Sequence, residues 1–147
     1  MKIFPTAQDA ENAFYEALER ADLESMMAVW AEDEEIVCVH PGRPRLVGQE
    51  QVRESWAQIF SGGPQARVHV SQQVATSGMM IAVHSVIESF TLLAETRGDA
   101  RPMPAVATNV YLRIGAGWRM IAHHASPAPA PAKAPEAPRD PGPKTLH

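Results

Sequence analysis

The segment from Pro104 to Ser126 limits the possible folds of this 147-residue chain more than any other stretch. Two runs of alternating, β-rich residues, Val106 to Ile114 and Trp118 to Ala125, flank Gly115-Ala116-Gly117. Glycines at both ends of so short a link permit the positive φ angles that hairpin turns need. The segment therefore predicts a β-hairpin, which the rest of the chain must cover.

The composition narrows the class of protein. With 45% hydrophobic and 20% charged residues, the chain fits one globular domain with a real core. A net charge of −4 gives no basic field for phosphates, so we expect no nucleic-acid partner. No apolar run reaches the roughly 20 residues that a membrane span needs. Because Cys38 is the single cysteine and no charged-then-apolar leader opens the chain, we expect a cytoplasmic protein.

The first 65 residues predict three helices and one short strand. Thr6 and Asp9 flank the start of an amphipathic helix, and Asp22 is an N-cap candidate for a second, shorter one. Apolar residues at helical spacing around Trp56 predict the third helix. Between the second and third helices, Ile36 to Val39 is a short apolar run that fits a strand.

Period-two patterns follow the third helix and predict a meander of antiparallel strands. The run from Arg67 to Thr76 alternates, which places Val68, Val70 and Val74 on one face. Met79 to Leu93 is apolar on both faces, as expected of a central strand or of one whose second face is covered by a partner subunit. With the hairpin, these runs make four consecutive strands and an α+β domain.

Loops and a tail complete the organisation. Residues 43–48 are predicted as a loop, and turns are predicted at 77–78 and 97–99. From residue 127 to 147, prolines alternate with alanines and isolated charges, a composition that cannot bury enough apolar surface to offset ordering entropy. We therefore expect one domain over residues 1–126 and a disordered Ala/Pro-rich tail over residues 127–147.

Several sequence motifs carry a family resemblance. They are Asp22-Leu23-Glu24, Trp30-Ala31-Glu32-Asp33, Gly48, and the segment from Gly117 to Ser126, GWRMIAHHAS. With the order of elements, they resemble the nuclear transport factor 2-like superfamily, which includes SnoaL-like proteins and ketosteroid isomerases. The last segment is also similar to the calcium/calmodulin-dependent kinase association domain. The resemblance implies a cone-shaped, curved antiparallel sheet with three N-terminal helices, an enclosed pocket and a homodimer through the outer sheet face.

The ketosteroid isomerase resemblance implies candidate catalytic residues. His40 lies where that family has its Asp base, and Asn109 lies where the family has a protonated Asp that donates to an oxyanion. A histidine is suited to proton transfer near neutral pH, but a strand-end histidine bonded to backbone is the alternative, which we favour slightly. The family's Tyr donor falls at Phe14, and a helix step of about 100° predicts that Tyr15 turns away from that face.

Strand parity separates the two adjacent histidines of the last strand. Side chains alternate along a strand, so His124 shares a face with Trp118 and Met120, whereas His123 lies on the opposite face. We take the Trp118 face as the pocket side and His123 as a dimer contact. The predicted ligand-binding residues are Trp56, Tyr111, Trp118, Met120 and His124.

No cofactor motif is present in the sequence. A metal site built from His40, His124 and either His69 or His84 is conceivable, but no characteristic ligand spacing supports it. Cys38 lacks an activating partner and is interpreted as a small buried residue.

Three functions remain open from the sequence. The first is a non-catalytic SnoaL-like protein that binds a small apolar ligand in its pocket. The second is an enzyme of the isomerase, dehydratase or cyclase kind, with His40 as general base and Asn109 as oxyanion donor. The third is an oligomerisation module, which predicts a filled pocket and a large apolar outer face.

Overall fold

The computed structural model describes residues 2–93 and 103–129. Three helices and six strands follow one another in the order α1 (Ala7–Arg20), α2 (Leu23–Val29), β1 (Val37–Val39), β2 (Leu46–Val47), α3 (Gln49–Phe60), β3 (Ala66–Ser77), β4 (Ile81–Leu92), β5 (Met103–Ile114) and β6 (Gly117–Pro127). The predicted turn at 97–99 lies outside the described residues, as does the predicted tail from residue 130 onward.

Local sequence signals set the helix ends. Thr6 caps α1 through a capping box with Asp9, and α1 ends at Ala21, which adopts a left-handed conformation with φ 53°. Asp22 caps α2 by accepting from the backbone N–H of Ser25. Both predicted helix starts are confirmed.

The strands form one curved, open sheet in the order β2-β1-β6-β5-β4-β3. β3 to β6 make the predicted antiparallel meander, and Gly115 takes a φ of +62° in the turn of the predicted hairpin. The sheet is mixed rather than purely antiparallel, because β1 pairs in parallel with β6. Residues 46–47, predicted as loop, form β2 against β1. The α+β class with three helices is confirmed.

Two β-bulges change which side chains face the helices. In β3 the register shifts between Ser71 and Val74, and Gln72 has a φ of 52°. In β6, Ile121 is the extra residue, because neighbouring residues of β5 pair with residues 120 and 122. A bulge reverses the alternation of every residue beyond it. The predicted faces are therefore wrong for Val74, which is 70% exposed, and for the histidines after Ile121.

The core lies between the helices and the interior face of the sheet. Fully buried side chains come from all layers, including Phe14, Met26, Trp30, Ile36 and Met120. No helix within residues 2–93 and 103–129 has the length and hydrophobicity needed to cross a membrane.

Candidate functional site

A cavity of about 260 Å³ opens between the helices and the interior face of the sheet. Its walls are mostly apolar, and Glu88, His40 and His123 add polar groups to them. The other lining residues are Leu18, Ala21, Pro41, Arg43, Trp56, Ile59, Phe60, Gly63, Gln65, Ala66, Phe90 and Leu92. A small, apolar cavity with a few convergent polar groups is the usual form of a ligand site.

Glu88 is the buried carboxyl group of this cavity. It shares the interior face of β4 with Ala82, His84 and Val86, and it is 1% exposed. Tyr15 donates its hydroxyl to Glu88 Oε2 at 2.7 Å. Burial raises the pKa of Glu88 to about 7, the bond from Tyr15 opposes the rise, and the charge of Glu11 adds to it. Glu88 can therefore hold or release a proton near neutral pH.

A chain of hydrogen bonds connects Glu88 to His123. Asn109 Nδ2 donates to the Tyr15 hydroxyl at 2.9 Å, and Asn109 Oδ1 lies 2.6 Å from His123 Nδ1. Because a carbonyl oxygen only accepts, His123 Nδ1 carries the proton and Nε2 is the acceptor nitrogen. Burial, followed by the charges of His40 and His124, lowers the pKa of His123 to about 3, so its ring is neutral at neutral pH.

A second buried acid, Glu11 of α1, contacts this series of hydrogen bonds on the side away from the cavity. Its Oε2 accepts from Tyr111 at 2.8 Å and from Asn109 at 3.3 Å, and it lies 2.9 Å from His84 Nδ1. Its Oε1 accepts from Gln73 at 2.7 Å. The β3 bulge makes that last bond possible, because it turns Gln73 inward.

His40 lies just after β1, where proline ends the strand. Its Nε2 is 2.6 Å from Ser55 Oγ, and its ring packs edge-on against Trp56 with centroids 4.7 Å apart. Burial, with a smaller contribution from Arg43, lowers the pKa of His40 to about 4. Cys38 Sγ lies 3.8 Å from the same Nε2, and burial raises the pKa of its thiol to about 12, so the thiol is not activated.

The structure brings only part of the predicted site together. His40 and Trp56 line the cavity. Asn109, Tyr111 and Met120 are fully buried but are not among the residues that line it. Both amide N–H groups of Asn109 are used within the protein, on Glu11 and on Tyr15.

The positions or orientations of four residues differ from the sequence-based expectation. Trp118 lines a separate shallow groove near His84. His123 faces inward and His124 is exposed on the outer face, the reverse of the prediction, because of the bulge at Ile121. Tyr15 points into the core beside Phe14, because the buried face of α1 is wide enough to include both residues.

The acidic residues of the site were missed from the sequence, although each carries a signal. Glu11 lies four residues after Ala7 and three before Phe14, so it falls on the apolar stripe of α1. Glu88 has the strand parity of Ala82 and Val86, and so falls on the buried face of β4. A carboxylate within an apolar stripe indicates a buried acid with dedicated partners.

The structure does not bring together the histidines of the conceivable metal site. His40 and His84 face the interior, whereas His69 and His124 are exposed on the other side of the sheet. Within the described ranges, no group of three or more His, Cys, Asp or Glu side chains is arranged to hold a metal ion.

Three helices closing one face of a curved open sheet, around a small cavity, define a nuclear transport factor 2-like fold. The SnoaL-like domain model matches residues 8–131, and the chain belongs to that family. No curated protein matches the chain in sequence.

Solved structures with the same fold include two with substantial sequence identity. One, from Thiobacillus denitrificans, is provisionally assigned as a calcium/calmodulin-dependent protein kinase type II association domain. It is 37% identical with a TM-score of 0.78, over 87% of this chain and 99% of that one. Another, from Streptomyces avermitilis, is provisionally assigned as a dehydratase of the NTF2-like family. It is 32% identical with a TM-score of 0.72, over 82% and 92% of the two chains. A ketosteroid isomerase-like protein from Erwinia carotovora, 20% identical over 82% and 87% with a TM-score of 0.63, shares the fold.

Proposed function

We propose that the cavity binds a small, largely apolar carbonyl or hydroxy compound and moves a proton on it, as isomerases and dehydratases do. The observation that carries this proposal is Glu88, a carboxyl group with a pKa of about 7 on the wall of an apolar cavity. General acid–base catalysis is most efficient when the pKa of the group lies near the working pH. The cavity volume of about 260 Å³ limits the compound to a small one.

Glu88 replaces His40 as the proposed base. Its carboxylate takes a proton from a carbon beside the substrate carbonyl, and the resulting acid returns that proton to another carbon or to a departing hydroxyl group. His40 is neutral and weakly basic at neutral pH, so it suits a hydrogen-bond donor to the substrate better than a base. When the Ser55 hydroxyl donates to His40 Nε2, the ring proton is on Nδ1 and is the one that can be donated. His123 Nε2 is an acceptor for a substrate hydroxyl. Apolar side chains around Trp56 limit the access of water to the reacting groups.

The comparisons support a proton-transfer reaction of this class, whereas the hydrogen bonds of Asn109 favour a second candidate, a protein that binds the same kind of ligand without catalysis. The relative from Streptomyces avermitilis carries a dehydratase assignment at 32% identity. Against catalysis stands Asn109, whose amide protons are already used, so the oxyanion donor implied by the family is not free. A non-catalytic binder with the same ligand class is therefore the second candidate.

The proposal includes a homodimer through the outer face of the sheet. Val83 and Val106 are more than a third exposed there, and Val110 pairs with Val83 on the same face. The association-domain assignment of the Thiobacillus denitrificans relative also supports self-association. The mass of the protein in solution tests this part of the proposal. We also expect a cytoplasmic location, on the sequence argument alone.

Proton exchange in D₂O tests the reaction without knowledge of the natural substrate. Wild-type protein is incubated with a panel of small cyclic and open-chain ketones, and deuterium incorporation beside the carbonyl is followed by NMR. We expect exchange with at least one ketone, and a loss of about 10²- to 10⁴-fold in Glu88→Gln, which keeps the shape of the side chain. Glu54→Gln, on the exposed surface of α3, is the matched control.

The same samples separate the two candidates. Native mass spectrometry of protein purified from its own host reports any retained ligand. A ketone that binds but shows no exchange above background favours the non-catalytic binder. Exchange that persists within twofold in Glu88→Gln would exclude Glu88 as the acid–base group.

A further inference from the structure

Two buried carboxyl groups lie on opposite sides of the Tyr15–Asn109 pair. Glu88 bonds to the Tyr15 hydroxyl and lines the cavity. Glu11 accepts from the Asn109 amide and is not among the residues that line the cavity. Both are 1% exposed, so neither exchanges protons with bulk water as freely as a surface acid. The hydrogen bonds described above connect Glu11 to Glu88 by one route, through Asn109 and Tyr15.

The partners of Glu11 suit an ionised carboxylate. Gln73, Tyr111 and Asn109 each donate to it, and His84 Nδ1 lies within hydrogen-bonding distance. An ionised carboxylate only accepts, and four partners supply the stabilisation that a buried charge needs. Among the described residues, Glu88 has one such donor, Tyr15, and the cavity that it lines is otherwise mostly apolar side chains and uncharged rings, with the exposed Arg43 at the same cavity.

We infer that Glu11 is a positioning residue for Glu88: a fixed anion that acts on the cavity carboxyl group through space and through the Tyr15–Asn109 bridge. This inference rests on the proposed function of Glu88. A permanent negative charge behind the bridge disfavours a second one at Glu88, so the cavity carboxyl group holds its proton to a higher pH than it would without Glu11. The hydrogen bond from Asn109 also orients the Tyr15 hydroxyl, leaving its proton for Glu88.

The other groups that face Glu88 do not supply this effect. His123 of β6 and His40 after β1 have lowered pKa values, so both are uncharged at neutral pH. Arg43 lines the same cavity but is exposed, and its charge favours an ionised Glu88 rather than a protonated one. Tyr15 has a strongly raised pKa and stays protonated. Glu11 is therefore the buried charge that favours protonation of Glu88.

The titration of Glu88 in the ligand-free protein tests the inference. The carboxyl carbons of glutamate are labelled with ¹³C and followed by NMR from pH 4 to 9, with Glu88→Gln used to assign the signal. We expect Glu88 to titrate near 7, and its pKa to fall measurably in Glu11→Gln, because the charge is removed while the shape is kept. Glu16→Gln, exposed on the same helix, should leave the titration unchanged. An unchanged pKa of Glu88 in folded Glu11→Gln would overturn the inference.

Wild-type protein gives a second measurement that does not depend on folding of the variant. At pH 6, we expect the Glu88 carbon to show the chemical shift of a carboxylic acid. A carboxylate shift for Glu88 at this pH would overturn the inference. These measurements use no substrate, so their outcome is independent of the ketone exchange. If Glu88 titrates as expected but no ketone exchanges, the role of Glu11 is supported and only the proposed reaction is excluded.

Discussion

Glu88, His40 and His123 line one cavity, and burial shifts their pKa values in opposite directions. It raises the pKa of the acid to about 7 and lowers those of the two histidines to about 4 and about 3. The cause is the same for all three, because an apolar environment disfavours whichever form carries charge. At neutral pH the cavity therefore holds uncharged histidines beside an acid that is about half protonated.

These shifts predict how stability depends on pH. The two histidines bind protons near pH 6.5 in the unfolded chain but not in the folded one, so their contribution is lost as pH falls below 6.5. Glu88 has a folded-state pKa above its unfolded value of 4.5, so its contribution is present at low pH and is lost as pH rises through 7. Between pH 4.5 and 6.5, unfolding lets the two histidines bind two protons and makes Glu88 release one. The unfolded state therefore binds one proton more than the folded state. The free energy of unfolding should rise by about 1.4 kcal/mol per pH unit in that window.

Urea titrations at half-unit pH steps measure this slope. In Glu88→Gln the opposing proton is removed, and the slope should roughly double, with Glu54→Gln as the surface control. A free energy of unfolding that falls with rising pH across this window would contradict the opposing shifts.

The bulges of β3 and β6 decide, at the scale of the element, which residues reach the site. Each adds one residue to one strand, and so moves the following side chains to the other face. In β3 the bulge directs Gln73 to Glu11, and in β6 it directs His123 to Asn109. Two irregularities of one residue each thus help to build the polar network.

Gln72 is the residue on which the geometry of the β3 bulge depends. Its φ of 52° is a left-handed conformation, which costs a non-glycine residue roughly 1–2 kcal/mol, whereas glycine loses about 0.5–1 kcal/mol through entropy. We expect Gln72→Gly to stabilise the protein by up to about 1 kcal/mol. Gln72→Val should destabilise it, because a β-branched residue tolerates positive φ poorly. Thermal unfolding checks both variants, and equal melting temperatures would show that the bulge relaxes.

At the scale of the whole molecule, a buried polar network lies on the interior side of the sheet, and apolar side chains are exposed on part of its exterior side. The helices cover the interior face, while exposed valines and isoleucines remain on the exterior face of β4 and β5. A second copy of the same face would bury this surface, as the proposed dimer does.

Val83 offers a direct test of that dimer. An arginine in its place puts a charge in the middle of the apolar face, and burial of an unpaired charge is costly. We expect Val83→Arg to halve the mass measured by light scattering at micromolar concentration. Gln58→Arg, exposed on α3, should keep the mass of the wild-type protein. A wild-type mass of one chain would exclude the dimer.

The sequence predicted the fold well because its signals are local. Thr6, Asp9 and Asp22 mark helix starts through side chain to backbone bonds within three residues. Gly115, next to Ala116, marks the hairpin turn just as locally, through its positive φ angle. β2 was missed, since a two-residue strand has no period of its own and exists only through its pairing with β1.

The site was predicted only in part, since it depends on contacts between distant residues. The family resemblance placed His40 at the pocket, the apolar pattern of the third helix placed Trp56 there, and both line the cavity in the structure. Glu11 and Glu88 are 77 positions apart in the sequence, and neither is informative until Tyr15 and Asn109 connect them. Strand parity also failed beyond Ile121, because a bulge of one residue leaves no mark in the alternation of side chains.

The sequence by itself determined the α+β class, the order of three helices and a meander, and the hairpin of residues 104–126, because those features depend on local backbone preferences. Only the tertiary structure decided which face His123 occupies, and that Glu88 rather than His40 is the acid–base candidate. The physical reason is that a pKa and an orientation depend on burial and on partners distant in the sequence, and these exist only after the chain has packed.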